Sequence, residues 1–112
     1  MSNLNLEFIK TNVSDDPDFI KELLEVFLNS LDTDVPALEA AIEKGEHDGI
    51  RKAAHKVKSG FRSLGMEEMT TYLQELEDMG KQEKPLEEIE LKYKGFLDGL
   101  PEVKSEVRGF ID

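Results

Sequence analysis

The sequence predicts an all-α fold, which we expect to be an antiparallel four-helix bundle with an additional short N-terminal helix and a C-terminal helical segment. Apolar residues recur at spacings of three and four along almost the whole chain, as on one face of a helix, and strand-like alternation is missing. Proline and glycine fall where helices should begin and end. Four of the predicted helices have ten or more residues, which together suggests an antiparallel bundle.

The first half of the chain divides into three predicted helices. A short first helix covers about residues 4–10, and a second covers about residues 17–31 because capping oxygens precede Pro17, which suits a first helical turn. Pro36 restarts a third helix over about residues 35–44, which a left-handed Gly45 ends. The apolar face of the second helix comprises Ile20, Leu23, Leu24, Phe27, Leu28 and Leu31.

The second half contains three more predicted helices. Asp48 caps the fourth, which Gly65 ends after residue 64, and the fifth runs to Gly80. Pro85 opens the sixth, and Pro101 breaks it before a last helical turn. The apolar residues of the fifth helix are Met69, Tyr72, Leu73, Leu76 and Met79. Those of the sixth helix are Leu86, Ile89, Tyr93, Phe96 and Leu97, and those of the last turn are Val103, Val107 and Phe110.

The composition restricts what the chain can do. At 112 residues and 38% hydrophobic content it can bury one core, so we expect a single domain over residues 1–112. It has no cysteine and no apolar run of about 18 residues, so a soluble cytoplasmic protein is the simplest interpretation. We expect a monomer, with a dimer as the alternative if an apolar stripe on the first or last helix covers a second copy. Met1 and the complete set of helices favour a stand-alone protein. A formal net charge of -11 makes nucleic acid and membrane surfaces unlikely partners.

The fourth predicted helix has an unusual charge pattern. Residues 51–66 contain five bases and no acid, although acids outnumber bases 25 to 14 over the chain; the bases are Arg51, Lys52, Lys56, Lys58 and Arg62. The core-facing stripe of this helix consists of Ile50, Ala54, Val57, Phe61 and Leu64. His55 lies roughly 140° from the centre of that stripe, on the same side as Arg51, Lys58 and Arg62. The imidazole is therefore expected to face outward within a basic strip.

An exposed imidazole can act as a nucleophile. It is partly neutral near neutral pH, and the neutral ring has a nitrogen lone pair able to attack phosphorus. Lys58, one turn later, would meet phosphate oxygens as a mobile cation. Small side chains leave room for another protein's active site to close over His55: Ala53, Ala54, Ser59 and Gly60. The alternative interpretation is that His55 is a solvated surface histidine in a basic stripe, and that this stripe balances an acidic neighbouring helix. The helical wheel alone does not decide between the two.

The order of residues around His55 resembles a known family. The segment reads Ala54-His55-Lys56-Val57-Lys58-Ser59-Gly60-Phe61-Arg62-Ser63-Leu64-Gly65. It is similar to the signature of histidine-containing phosphotransfer (HPt) domains: histidine, two residues, lysine, small residues, then an apolar residue and glycine. Residues 22–28 resemble the family's second helix, and residues 76–80 resemble the helix after the histidine. Two departures, the order Ser59-Gly60 and a methionine at position 66 where alanine is common, bear on partner preference more than on chemistry.

The resemblance implies a phosphorelay intermediate that is not an enzyme. His55 would be the phosphorylated nucleophile, Lys58 the cation that stabilises the phosphate, and Glu77 a residue close to the imidazole. Partner docking is expected at Arg51, Ala54, Ser59, Gly60 and Arg62. The implied partners are response-regulator receiver domains and a hybrid histidine kinase, with Mg²⁺ held by the receiver and no cofactor or metal bound by this chain. The sequence has no phosphate-binding glycine motif, so autophosphorylation is not expected.

Two other functions stay open on the sequence. One is a docking domain that binds a receiver or kinase without being phosphorylated. The other is an acyl-carrier-like protein, because the Asn-Ser-Leu-Asp sequence of residues 29–32 resembles that family's attachment site and would make Ser30 the modified residue. His47 lies in a glycine-flanked turn and is expected to be a solvated loop histidine.

Overall fold

The computed structural model describes residues 4–112, which form five α-helices and contain no β-strand. The helices are α1 (Leu6–Asn12), α2 (Pro17–Lys44), α3 (His47–Ser63), α4 (Glu67–Lys81) and α5 (Leu86–Ile111). The prediction of an all-α fold is confirmed. Met1, on which the stand-alone expectation partly rests, lies outside the described residues.

The four long helices contact one another in a closed cycle, in which α2 packs on α3, α3 on α4, α4 on α5 and α5 on α2. The 28 residues of α2 correspond to a length of about 42 Å, which matches the longest dimension of the molecule, 43 Å. Each helix therefore turns one face toward a shared core. Four aromatic rings lie in that core. Phe61 meets Phe27 and Phe96 edge-on at centroid distances of 5.0 and 5.9 Å, and Tyr93 stacks on Phe96 at 6.2 Å.

Two prolines that were predicted to separate helices lie inside continuous ones, Pro36 in α2 and Pro101 in α5. A proline inside a helix lacks the N–H for one hydrogen bond and costs about 3 kcal/mol. Each buried aliphatic side chain contributes about 1.5–3 kcal/mol. The buried stripe continues past both prolines, through Leu31, Val35, Leu38 and Ile42 in α2 and through Leu100, Val103 and Val107 in α5. The separate third helix and the separate C-terminal segment were therefore wrong predictions, because packing outweighs the local signal.

The ends of the helices follow the predicted signals in most cases. Asp16 caps α2 by accepting a hydrogen bond from the backbone N–H of residue 18. Gly45 and Gly65 have φ values of 69° and 72°, so both adopt the left-handed conformation that was predicted for Gly45 as a stop. The cap predicted at Asp48 is wrong, because the N-cap of α3 is Glu46, two residues earlier, and Asp48 lies in the first turn of the helix.

The packing of α3 against α4 determines where the polar face of α3 meets its neighbour. All five residues of the predicted core stripe are buried, four within α3 and Leu64 directly after it, which confirms the orientation of this helix. At its start α3 lies against Gly80 of α4, where a Cβ atom would be 2.9 Å from both the backbone N of Arg51 and the carbonyl oxygen of His47. Because of this close approach, the α4 residues that precede Gly80 by one and two turns lie opposite the exposed side of α3.

Candidate functional site

His55 lies on the outer side of α3, beside α4, and its side chain is 56% exposed. The outward orientation expected from the helical wheel is thus observed. The ring is nevertheless held at one end, because its Nδ1 lies 2.8 Å from Oε1 of Glu77 on α4. The proximity of Glu77 to the imidazole, which was expected from the family resemblance, is also observed. The other ring nitrogen, Nε2, makes no hydrogen bond or ion pair with another residue in the part of the chain that the structure describes.

The protonation of Glu77 decides which tautomer of His55 this contact favours. Glu77 is 20% exposed, and its Oε1 also lies 3.1 Å from Nζ of Lys58. Burial alone would raise the pKa of Glu77, but the hydrogen bonds from Lys58 and His55 outweigh it, so the pKa is lowered from its usual value. An ionised carboxylate only accepts hydrogen bonds. Nδ1 of His55 therefore donates, and the neutral ring keeps its lone pair on Nε2.

Lys58 does not lie where the sequence placed it. We expected a mobile, outward-facing cation, but the side chain is 5% exposed and lies between α3 and α4. Its ammonium group donates to Oε1 of Gln74 at 2.8 Å and to Oε1 of Glu77 at 3.1 Å. On the helical wheel Lys58 is about 80° from the centre of the core stripe, at the boundary between buried and exposed positions. Because α4 packs beside this boundary, the Lys58 side chain is buried.

Two residues of this network were not identified from the sequence, Gln74 and Asp78. Gln74 lies between Lys58 and Asp78, and its Nε2 donates to Oδ1 of Asp78 at 3.0 Å. These residues and Glu77 occupy one side of α4 at spacings of three and four. That spacing is the signal by which they could have been found, but only once α4 was known to pack beside the polar side of α3.

The basic strip of α3 is largely neutralised by acids from outside the 51–66 segment. Asp48 accepts from Arg51 at 2.8 Å and lies 3.1 Å from Nζ of Lys52. Lys56 reaches Asp34 of α2 at 3.3 Å. Among residues 4–112, Arg62 is the base of this strip that makes no ion pair. The strip therefore offers less positive potential than its sequence suggested.

Four of the five residues expected to dock a partner reach the surface. Arg51, Ser59 and Arg62 are partly or fully exposed, and Gly60 is half-buried. Ala54 is fully buried in the core, so its assignment to a docking surface is wrong, because the position belongs to the core stripe. Gly60 faces α2, where a Cβ atom would lie 3.5 Å from the ring of Phe27, an ordinary contact. The interior of the protein does not require glycine at this position.

The residues weighed for other functions lie apart from this site. His47 is the first residue of α3, not a loop residue, and its Nε2 lies 2.8 Å from the carbonyl oxygen of Lys84, to which it donates. Ser30 lies in the middle of α2, whereas the acyl-carrier interpretation needs a serine at the start of a helix. Within residues 4–112 no three His, Asp or Glu side chains converge as a metal site would require. Over the same residues, none of the helices has the length and apolar character needed to cross a membrane.

Comparison with known proteins identifies the family. The family model described as Hpt domain matches residues 22–108, which include His55, Lys58 and Glu77. Neither the curated proteins nor the solved structures provide a significant match. Hpt domains carry phosphoryl groups in two-component phosphorelays, where they interact with receiver domains and kinases, and they are phosphocarriers and not enzymes. Because the match covers most of the chain, the protein belongs to the Hpt domain family.

Proposed function

We propose that this chain is a phosphorelay intermediate in which Nε2 of His55 accepts a phosphoryl group from a receiver-domain aspartate and passes it to another. The observation that carries the proposal is the contact of Nδ1 with the ionised Glu77, because it leaves the lone pair on the exposed end of the ring. A nucleophile must present its lone pair to the incoming group in line with the leaving oxygen. An imidazole held at Nδ1 satisfies this requirement at Nε2.

The transfer exchanges one bond to phosphorus for another. The Nε2 lone pair attacks the phosphorus of the receiver's aspartyl phosphate, the N–P bond forms, and the P–O bond to the aspartate breaks as the carboxylate leaves. The reverse step on a second receiver returns the imidazole to its neutral form. The ring gains positive charge when Nε2 bonds to phosphorus while Nδ1 keeps its proton. The carboxylate of Glu77, 2.8 Å from Nδ1, stabilises that charge.

The cation that meets the phosphoryl group stays a prediction. An ammonium group has three donors, and two of those of Lys58 are used by Gln74 and Glu77. Phosphate stabilisation by Lys58 therefore rests on its third donor. Arg62 is a further candidate, because its guanidinium is exposed and makes no ion pair among residues 4–112. Mg²⁺ would be supplied by the receiver.

The receiver would dock on the exposed side of α3. Ser59 and Gly60 follow His55 by about one turn and carry little side-chain bulk, so a partner backbone can approach the imidazole closely. The hydroxyl of Ser59 is turned inward along its own helix, where it donates to the carbonyl oxygen of His55 at 3.0 Å. Arg51 and Arg62 border this surface and would meet acidic residues around the receiver's phosphorylation site.

We also propose that α2–α5 form an antiparallel bundle. The contacts between α3 and α4 run in opposite order along the two helices: His55 contacts Glu77, whereas Lys58, further along α3, contacts the earlier α4 residue Gln74. The α2–α5 contact of Glu39 with the Tyr93 hydroxyl fits the same arrangement. Neighbouring helices joined by short connections are usually antiparallel.

The test is transfer of labelled phosphate from a phosphorylated receiver domain in the presence of Mg²⁺. We expect acid-labile label on the wild type, no label on His55→Gln, and undiminished label on the matched control His47→Gln, which removes the chain's other histidine. Label that persists on His55→Gln would refute the assignment of the nucleophile. Absence of label on the folded wild type with a panel of receivers would favour the docking domain that is not phosphorylated.

A further inference from the structure

We propose that Gln74 and Asp78 are positioning residues, which act through Lys58 and Glu77 to hold the Nδ1 proton of His55 and so keep Nε2 unprotonated. The inference rests on the proposed function for its significance, since Nε2 is the proposed nucleophile. It concerns four side chains that lie behind the imidazole, away from the surface where a receiver would dock. The directions of the hydrogen bonds among these side chains determine which nitrogen of His55 carries the proton.

The chain of hydrogen bonds begins at Asp78. Its Oδ1 accepts from Nε2 of Gln74 at 3.0 Å, which turns Oε1 of the same amide toward α3. The opposite orientation of the amide would place its NH₂ against the Lys58 ammonium and its oxygen against the Asp78 carboxylate. Both contacts would be repulsive, because a donor would face a donor and an acceptor an acceptor. The two charged neighbours thus determine the orientation of Gln74.

Gln74 in turn locates the ammonium group of Lys58. Its Oε1 accepts from Nζ at 2.8 Å, and Nζ then lies 3.1 Å from Oε1 of Glu77. With only 5% of the Lys58 side chain exposed, water replaces a lost partner poorly, so the protein acceptors determine where Nζ lies. No buried side-chain nitrogen or oxygen among the described residues lacks a hydrogen-bond partner. The network is therefore satisfied as built, and removing one member leaves another unpaired.

Glu77 connects the ammonium group of Lys58 to the imidazole of His55. The ammonium keeps the carboxylate ionised and on the side of α4 that faces His55, where the same Oε1 meets Nδ1 at 2.8 Å. A carboxylate can only accept, so the last donor in the chain must be Nδ1–H. Along this chain of hydrogen bonds, Gln74 donates to Asp78 and accepts from Lys58, Lys58 donates to both Gln74 and Glu77, and Glu77 accepts from Lys58 and His55. Only one tautomer of the neutral ring completes that pattern.

The test compares Gln74→Met with Gln82→Met, which makes the same change at the chain's only other glutamine, an exposed residue outside the network. Nitrogen-15 NMR of the imidazole in mildly alkaline buffer reports which ring nitrogen of His55 carries the proton. We expect Nδ1–H in the wild type and in Gln82→Met, and a larger share of the Nε2–H tautomer in Gln74→Met. Transfer from a receiver should slow about tenfold in Gln74→Met, by analogy with the lower end of the effect seen when a residue that orients a metal-ligating histidine is lost.

Two results would overturn the inference. One is a wild-type ring that is protonated on Nε2, and the other is a Gln74→Met protein that is folded and has the wild-type tautomer ratio. Failure of the proposed function gives a different pattern, because the tautomer measurement needs no phosphate. A ring protonated on Nδ1 that shifts in Gln74→Met supports the positioning role even where no receiver transfers phosphate to the chain.

Discussion

Gly80 is the position at which a single methyl group should disturb both the fold and the site. Its Cβ would lie 2.9 Å from the backbone N of Arg51 and from the carbonyl oxygen of His47, whereas ordinary contacts begin near 3.4 Å. Because both atoms are backbone, no rotamer change relieves the overlap, and α3 and α4 must move apart. Overpacking of this kind costs about 1–3 kcal/mol, against a gain of about 1 kcal/mol from replacing glycine by alanine in a helix.

A matched control separates these two terms. Gly99 lies inside α5, and its Cβ would be 3.5 Å from the sulfur of Met69, an ordinary contact with a flexible side chain. Gly99→Ala should therefore retain the helix gain without the overlap. In urea denaturation we expect Gly80→Ala to have a free energy of unfolding about 1–3 kcal/mol below that of Gly99→Ala. Equal stability of the two variants would refute the reasoning that the backbones of α3 and α4 meet at Gly80.

The same substitution has a consequence for the imidazole. Gly80 is one turn after Glu77 on α4, so a displacement of α4 at Gly80 lengthens the contact between Glu77 and His55. We expect Gly80→Ala to transfer phosphate more slowly than Gly99→Ala under conditions in which both variants are folded. Equal transfer rates would show that the Glu77 contact tolerates the displacement.

Three further predictions concern the interior and its polar network. Lys58→Met should destabilise the protein by about 1–3 kcal/mol, because Glu77 loses a buried partner. The control Lys94→Met, at an exposed position, should change stability by less than about 0.5 kcal/mol. Urea midpoints compare the two variants, and equal effects would contradict the role of Lys58 as a buried partner of Glu77. Phe61→Ala should cost about 3–5 kcal/mol, because this side chain is fully buried, and thermal unfolding measures the loss. The lowered pKa of Glu77 stabilises the folded state fully above its usual value of 4.5, and this contribution is lost as the pH falls through the folded-state pKa. Glu77→Gln should therefore flatten the acid side of the stability profile, and an unchanged profile would contradict this assignment.

The period of apolar residues predicted most of the core. All five stripe residues of α3 are buried, and the stripe alone oriented His55 outward. The predictions that failed depended on how the helices pack against one another. Pro36 and Pro101 carry a genuine local stop signal, but the burial of the residues that follow them outweighs it. Tertiary packing of an apolar face regularly overrides such local preferences.

The contact of His55 with Glu77 was predictable from the sequence, whereas the buried residues that support it were less so. His55 and Glu77 were identified, and they do lie within hydrogen-bonding distance. The burial of Lys58 was not, because a residue at the edge of an apolar stripe is interior or exposed according to the helix beside it. Gln74 was missed for the same reason, since its partner lies sixteen positions away in the sequence and becomes a neighbour only when α3 and α4 pack.

The most direct test of the account is to identify the phosphorylated atom. After transfer from a receiver, phosphorus-31 and nitrogen-15 NMR of the folded protein distinguish an N–P bond at Nε2 of a histidine from one at Nδ1. We expect phosphate on Nε2 of His55, with Nδ1 still protonated beside Glu77. Phosphate on Nδ1 of His55, or on His47, would contradict it.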